Sequence, residues 1–400
     1  MEIPNSAPKT TRHQSILFSI CFVAGIFAGI TSSLMSAYLP DVLRTFGIQA
    51  QQGEHIGAII ASVFLFGMTA GGLALGYYSD LYGRKNAFLA SLGFVGIFTF
   101  ATAHAPNWQW VAAFRFFSGF GASGILLTTA ILVAEAWHTK SRSIALGILS
   151  ISFPIGIFSA GLITYSFSNW REGFWVGIVC VALAVVAHYT INESQEWQAK
   201  KGIKAQKSVQ NKRSLLPKLA YGSLIYGSML IGLWAVFSWL PTWVQTIAQP
   251  EVAQKVRGLS MMLFAVGGLV GGFFSGWIGR YLGIKTALLW CFFGCFVLSI
   301  VLFLTNAQVL PITYIEMALL SLFFGLSQGL LNDYIPLFFD IEFRASATGI
   351  CFNVGRIFTA SVVFCIGWLV YALGGYGNAL CIFSLTFLVG FVALFTNKNG

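Results

Sequence analysis

Two arginines stand inside long apolar runs of this 400-residue chain, and their side chains are the ones best placed to do chemistry. Arg356 lies twelve positions past Arg344, about 18 Å along a helix at 1.5 Å per residue. Half the hydrocarbon thickness of a bilayer is about 15 Å, so Arg356 falls near a membrane midplane. A guanidinium at that depth costs at least about 2.5–3.5 kcal/mol and must face a wet cavity or an anion. Its paired donors match a carboxylate. Arg356 therefore reads either as a ligand for an anionic solute or as a structural Arg bonded to helix carbonyls or a fixed acid. Arg115 sits near the opposite end of its own run. It serves coupling or gating, or it binds the backbone of the first span.

Proton coupling needs a carboxylate or a His whose pKa moves across neutrality as its surroundings change. Glu135, Glu316, Asp333 and His188 are the titratable residues of that kind within apolar runs. Glu135 and Asp333 end the fourth and tenth runs near Arg142 and Arg344, and read first as ion-pair partners. Glu316, roughly the counterpart of Arg115, lies one to two turns inside its run and is a group that can titrate. His188 reads as an interface residue.

The elements that position these groups follow from composition. Hydrophobic types make up 57% of the chain and charged types 9%, with a mean hydropathy of +0.78. A soluble domain carries about 25% charged residues, so a soluble enzyme, a disordered chain and a nucleic-acid-binding domain are excluded. About 20 apolar residues cross a bilayer as a helix. The sequence predicts twelve such spans, at 14–39, 57–79, 86–104, 109–133, 143–166, 171–191, 218–246, 258–279, 286–305, 310–334, 346–371 and 376–396. The runs are continuously apolar rather than alternating, which argues against a transmembrane barrel. The seven cysteines all fall in these runs and read as buried small hydrophobes, not as a metal site or disulfides.

Residues 192–217 form the longest polar interval and carry Lys200, Lys201, Lys204, Lys207, Lys212 and Arg213. They divide the chain into a six-span unit at 1–191, a linker at 192–217 and a second six-span unit at 218–400. Lys and Arg gather on the side that holds both termini and this linker. The other side holds Arg44, Arg171, Lys255 and Arg257. By the positive-inside rule both termini are cytoplasmic. The net charge of +10 thus reflects topology rather than a polyanionic partner. Lys9, Arg12 and His13 precede the first run without a small-residue cleavage site, so no cleaved leader is expected. The halves also repeat. Residues 76–85, GYYSDLYGRK, and 276–285, GWIGRYLGIK, share G-x6-G-x-K, and Arg142/Gly147 match Arg344/Gly349. Internal repeats of this kind mark secondary transporters, with the solute site near the midplane between the halves.

The first of these loops resembles the signature of the major facilitator superfamily, G-x3-D-x2-G-R-[KR], and its degenerate copy lies where that family has one. Arg115-x3-Gly119-x-Gly121 resembles the family's R-x3-G-x-G element. Residues 334–356 resemble a stretch of organic-acid symporters of the aromatic-acid and sialate type, with Arg344, Gly349, Asn353, Gly355 and Arg356 matching. Leu337, Asp340 and Ala347 depart from it. Asn192-Glu-Ser-Gln-Glu-Trp197 resembles the element that ends the sixth span, with its prolines lost. The first span has no acid before Asp41, where aromatic-acid members carry one.

The resemblance implies an all-α membrane fold of two pseudo-symmetric six-helix bundles, with a pocket between spans 1, 4, 5, 7, 8, 10 and 11. Ser32, Ser123, Tyr226, Trp234, Gln328, Asn332 and Asn353 are then the solute-binding candidates beside Arg356, with Thr31, Ser33, Thr128 and Trp239 near them. Each instead bridges helices if its polar group finds a protein partner. Asp80 is expected to latch the N-terminus of the eleventh span and to pair with Arg84. Pro241 is expected to break the seventh span and form a gate. The implied activity is alternating-access transport of a small organic anion, a carboxylate or acidic sugar, with proton symport, in a bacterial inner membrane. A neutral sugar, polyol or drug-like solute, including its export, is the alternative, and a non-transporting sensor is the alternative of another class. The expected partners are the solute, protons and lipid, with the chain working as a monomer. No enzyme, metal, cofactor or nucleic-acid role is expected. No nucleotide-binding P-loop, metal cluster, haem pattern or nucleophile elbow is present in the sequence.

Overall fold

The computed structural model of the chain describes residues 12–137, 139–194, 197–198, 212–339 and 344–397. All regular structure among them is helical. In lipid each backbone polar group must be satisfied within its own segment, so a continuous apolar run folds as a helix.

The first half comprises α1 (Arg12–Thr45), α2 (Ala50–Tyr82), α3 (Arg84–Ala103), α4 (Trp108–Ala136), α5 (Thr139–Ser150), α6 (Ser152–Ser166), α7 (Trp170–Phe174) and α8 (Val176–Thr190). The second comprises α9 (Lys212–Ile247), α10 (Ala253–Leu282), α11 (Ile284–Thr305), α12 (Pro311–Tyr334) with a 3-10 turn (Ile335–Phe338), α13 (Arg344–Phe364), α14 (Ile366–Leu373) and α15 (Tyr376–Thr396). Among the described residues twelve helical segments are long and apolar enough to cross a membrane, and each expected span overlaps one of them, with ends that differ by up to six residues. Three spans are broken helices, interrupted at Ile151, Trp175 and Cys365. The first break has a cause. Pro154, one turn on, has no N–H to offer the preceding turn.

Pro241, expected to end a span, lies inside α9, which runs on to Ile247. The lost hydrogen bond does not stop a helix packed on both sides, and no gate forms by breakage there. Cys365 is exposed and Cys381 half-buried, unlike the buried positions expected of them, and all seven cysteines are free.

Packing repeats between the halves. α2 lies on α4 and α10 on α12, at glycines 200 positions apart. A methyl at Gly67 would collide with the Phe116 carbonyl oxygen, and one at Gly267 with that of Ala318. The signature loops are built alike too. Gly83 (φ 107°) and Gly283 (φ 82°) make the two turns in a region that favours glycine. Lys85 Nζ then donates to the His188 carbonyl at the end of α8, and Lys285 Nζ to that of Asn397 after α15. A lysine there satisfies a terminal carbonyl and complements the helix dipole. Between the halves α6 packs on α10, α2 on α13 and α14, and α1 on α9.

Candidate functional site

A cavity of about 1020 Å³ lies between the two bundles. It is walled by α2, α4, α5 and α6 on one side and by α9, α10, α12 and α13 on the other. It reaches Gly147, Gly276 and Asp333, near the membrane face that carries the Gly83 and Gly283 turns, hereafter the signature face. At the opposite, far face the bundles meet. Arg257 Nη2 of α10 donates to Asp41 Oδ2 of α1 at 2.5 Å, with Arg257 2% exposed. Gln254 Nε2 donates to the carbonyls of Thr164 and Phe167 at 2.8 and 2.7 Å. The Gly367 backbone packs against Glu54 and His55, and Trp239 covers Gly57.

Among the described residues lining the cavity, Arg356 is the one base and Asp333 the one acid. Arg356 is half-buried and lies close to the Tyr226 hydroxyl. No described carboxylate forms an ion pair with it. It belongs to α13, yet its Nη1 comes within 3.9 Å of where a Gly72 side chain on α2 would begin, so it stands at the seam between bundles. Tyr226 is held in place by stacking on Phe352, with ring centroids 4.2 Å apart.

Gln328, Asn332, Tyr226 and Trp234 line the same cavity. Gln328 Nε2 is buried with no protein partner among the described residues. Asn353 donates to the Gly349 carbonyl at 3.0 Å, while its Oδ1, also unpartnered, lies beside Gly72. Asn353 and Ser123 stand behind the wall rather than on it. The arrangement joins a guanidinium and an amide donor to the aromatic faces of Tyr226, Trp234, Phe237, Phe264 and Phe324. Such a pocket suits a small solute with an acidic end and an apolar or planar body.

Other candidates lie elsewhere. Ser32 donates to the Ala28 carbonyl of its own helix and lines a separate pocket of about 20 Å³ on the far side of Leu65 and Trp234. Ser33 and Thr128 likewise bond within their own helices, to Gly29 and Gly124. Arg115, in that small pocket, donates from Nη1 to the Thr31 carbonyl at 2.7 Å and stacks on Phe64 at 3.9 Å. The contact with the first span's backbone, one of the two readings of this residue, is therefore present. Glu316 accepts from Asn306 Nδ2 at 2.7 Å in the far-face loop between α11 and α12, and does not line the cavity. His188 is exposed with its ring against Tyr189.

At the signature face Asp80 pairs with Arg84 at 2.6 Å and is 70% exposed. Arg84 also reaches Glu135 at 3.3 Å. The side chain of Arg344, where the α13 end of the expected latch lies, is outside the described residues, as are Asp340 and most of the linker with its lysines. Three residues carry structure that sequence reasoning did not single out. Asp41 and Arg257 form the far-face pair, and the sparse charges of that face were their only signal. Glu193 accepts from the backbone N–H of Arg84 and of Lys85, at 2.8 and 3.1 Å, capping α3. Its place in the element after the sixth span was the clue to it.

Twelve spanning helices in two repeated bundles around a central cavity define a multi-pass carrier. The chain matches the Major Facilitator Superfamily profile over residues 21–362, and it belongs to that family. It is 24% identical to the cis,cis-muconate transport protein of Acinetobacter baylyi (strain ATCC 33305 / BD413 / ADP1), over 90% of this chain and 88% of that one. It is 27% identical to the sialic acid transporter NanX of Escherichia coli (strain K12), over 94% and 91%. Among solved structures, the partially occluded inward-open xylose transporter XylE from E. coli superposes with a TM-score of 0.79 at 15% identity, over 97% of this chain and all of that one. That likeness carries the fold. The chain is a transporter and not an enzyme.

Proposed function

We propose that the chain moves a small organic anion, a carboxylate or acidic sugar, across a bacterial inner membrane by alternating access with proton symport. The carrying observation is Arg356, a cation in the central cavity that has no acidic partner among the described residues. An intramembrane cation of this kind calls for an anion, and the solute supplies it. Gln328 offers a further donor, and the aromatic walls take the solute's body. The names of the muconate and sialic acid relatives point to the same solute chemistry. Asp333, the acid on the cavity wall, faces Arg280 and is the candidate proton carrier. Lys and Arg concentrate at the signature face, which supports a cytoplasmic signature face and cytoplasmic termini. The cavity is then the inward-open state, and the chain works as a monomer in lipid.

The test is uptake of labelled cis,cis-muconate and sialic acid into proteoliposomes, with and without an inward proton gradient. Accumulation of either acid that collapses with the gradient is expected. Transport of neutral sugars in preference to acids sinks the anion reading, and indifference to the gradient sinks symport. Arg356→Lys should lower uptake at least tenfold with unchanged yield of folded protein, because a point charge replaces a bidentate fork.

A further inference from the structure

Among the described residues Arg115 has no counter-ion. It is 3% exposed, it uses Nη1 on the Thr31 carbonyl, and its Nε has no partner. The acids on the helices around it are distant or engaged. On α1 the acid is Asp41, ten residues beyond Thr31 and so about 15 Å along the axis, and it is paired with Arg257. On α2 the nearer acid is Glu54, ten residues before Phe64 and so again about 15 Å away. α9, which supplies Trp234 and Ser238 to the same pocket, has no acid along its length. The Phe64 face and one carbonyl soften the burial of this charge, but they leave it without an opposite charge in a desolvated place.

Arg115 also stands on the solute's route. Its pocket, with Ser32, Ser36 and Ser238, shares Leu65 and Trp234 with the large cavity. Those two residues are the partition between them. Arg115 lies over Phe64 and Arg356 lies beside Gly72, eight residues on along α2, so the two guanidiniums are roughly 12 Å apart along the path. With the far face shut, the small pocket has room for about one water and no organic anion fits in it.

We infer that Arg115 is a second anion station, one that takes the carboxylate of the solute when the cavity opens to the far face. This rests on the anion-transport reading and extends it. Arg356 serves the solute at the midplane and toward the signature face, and Arg115 receives it from the far side. A solute with two acidic groups spans both stations during the switch and gains most from the pair.

Sided proteoliposomes of the full-length chain test this, with labelled cis,cis-muconate (two carboxylates) and sialic acid (one) as probes. KM is read separately at each face. Arg115→Gln is expected to raise KM at the far face at least tenfold, more for muconate than for sialic acid, and to leave the signature-face KM within twofold. Equal changes at both faces, or none, overturn the inference. Should that variant fail to assemble, Ser238→Asp keeps the guanidinium and sets a carboxylate beside it. It should raise the far-face KM in the same way, and an unchanged value overturns the inference by itself. A wild type that moves no organic anion overturns the transport reading together with this one. A wild type that moves an anion while the variants keep their far-face KM overturns this one alone.

Discussion

At the far face, Asp41 of the first bundle reaches across the seam to Arg257 of the second, and Gln254 of the second bundle takes two carbonyls of the first. At the signature face, Asp80, Arg84, Glu135 and Glu193 all find their partners inside the first bundle. Among the described residues, these charges pair between bundles where the molecule is shut and within one bundle where it is open. A carrier that opens alternately at two faces needs this asymmetry, because each closed face must offer contacts that the open face has given up. The far-face pair is buried, so it stabilises the shut state mainly by the cost of leaving either member alone. The signature-face pair is wet, so it is free to change partners.

The largest effect should come from Asp41→Asn. It leaves Arg257 buried without a carboxylate, which costs about 3–5 kcal/mol in the far-closed state. The equilibrium should move toward far-side opening. A cysteine placed at Ser36, in the small pocket, should then react with a membrane-impermeant thiol reagent from the far side at least tenfold faster than in the parent. The exchanged pair Asp41→Arg with Arg257→Asp should bring the rate back down. An unchanged rate in Asp41→Asn would remove the pair from the gate.

A middle-sized effect separates the repeated turns. Gly283→Ala meets no atom within 4 Å and pays only for its positive φ, about 1–2 kcal/mol. Gly83→Ala meets that strain and also runs into the Glu193 carboxylate, whose bonds to Arg84 and Lys85 it displaces. A lost cap adds about 1 kcal/mol. The Tm in detergent should fall more for Gly83→Ala than for Gly283→Ala. Equal losses would mean that Glu193 caps α3 without stabilising it.

Much of this was legible in the residues. Length and hydropathy were enough to locate the spans, because lipid leaves a helix as the one way to satisfy such backbone. The repeat was legible as well, since Gly83/Gly283 and Lys85/Lys285 do the same work 200 positions apart. Helix ends were less so. The first span was expected to stop at Leu39, but α1 continues through Pro40 and Asp41 to Thr45 because Arg257 takes up the charge. Side-chain direction was least legible. Ser32 and Thr128 looked like pocket residues by depth, yet each hydroxyl donates to a carbonyl of its own turn, which no spacing rule reports. The partnership of Asp41 with Arg257 joins residues 216 positions apart, and the sequence holds their charges but not their meeting.

The smallest effect on stability, and the sharpest on the comparison, belongs to Asp80. Its pair with Arg84 is an exposed i,i+4 contact worth about 0–1 kcal/mol, so Asp80→Asn should leave the Tm unchanged. Arg84 keeps Glu135 and the Ser79 carbonyl, so the loop holds its shape. If Asp80 also serves as a partner in the shut signature face, the same substitution should still slow turnover at least tenfold, because that state loses an acceptor that the open state uses only for an exposed pair. Steady-state uptake beside a melting curve decides it. A variant with normal Tm and normal uptake would make the Asp80–Arg84 contact a surface ion pair, and among the described residues the charged gate would then be the buried pair at the far face.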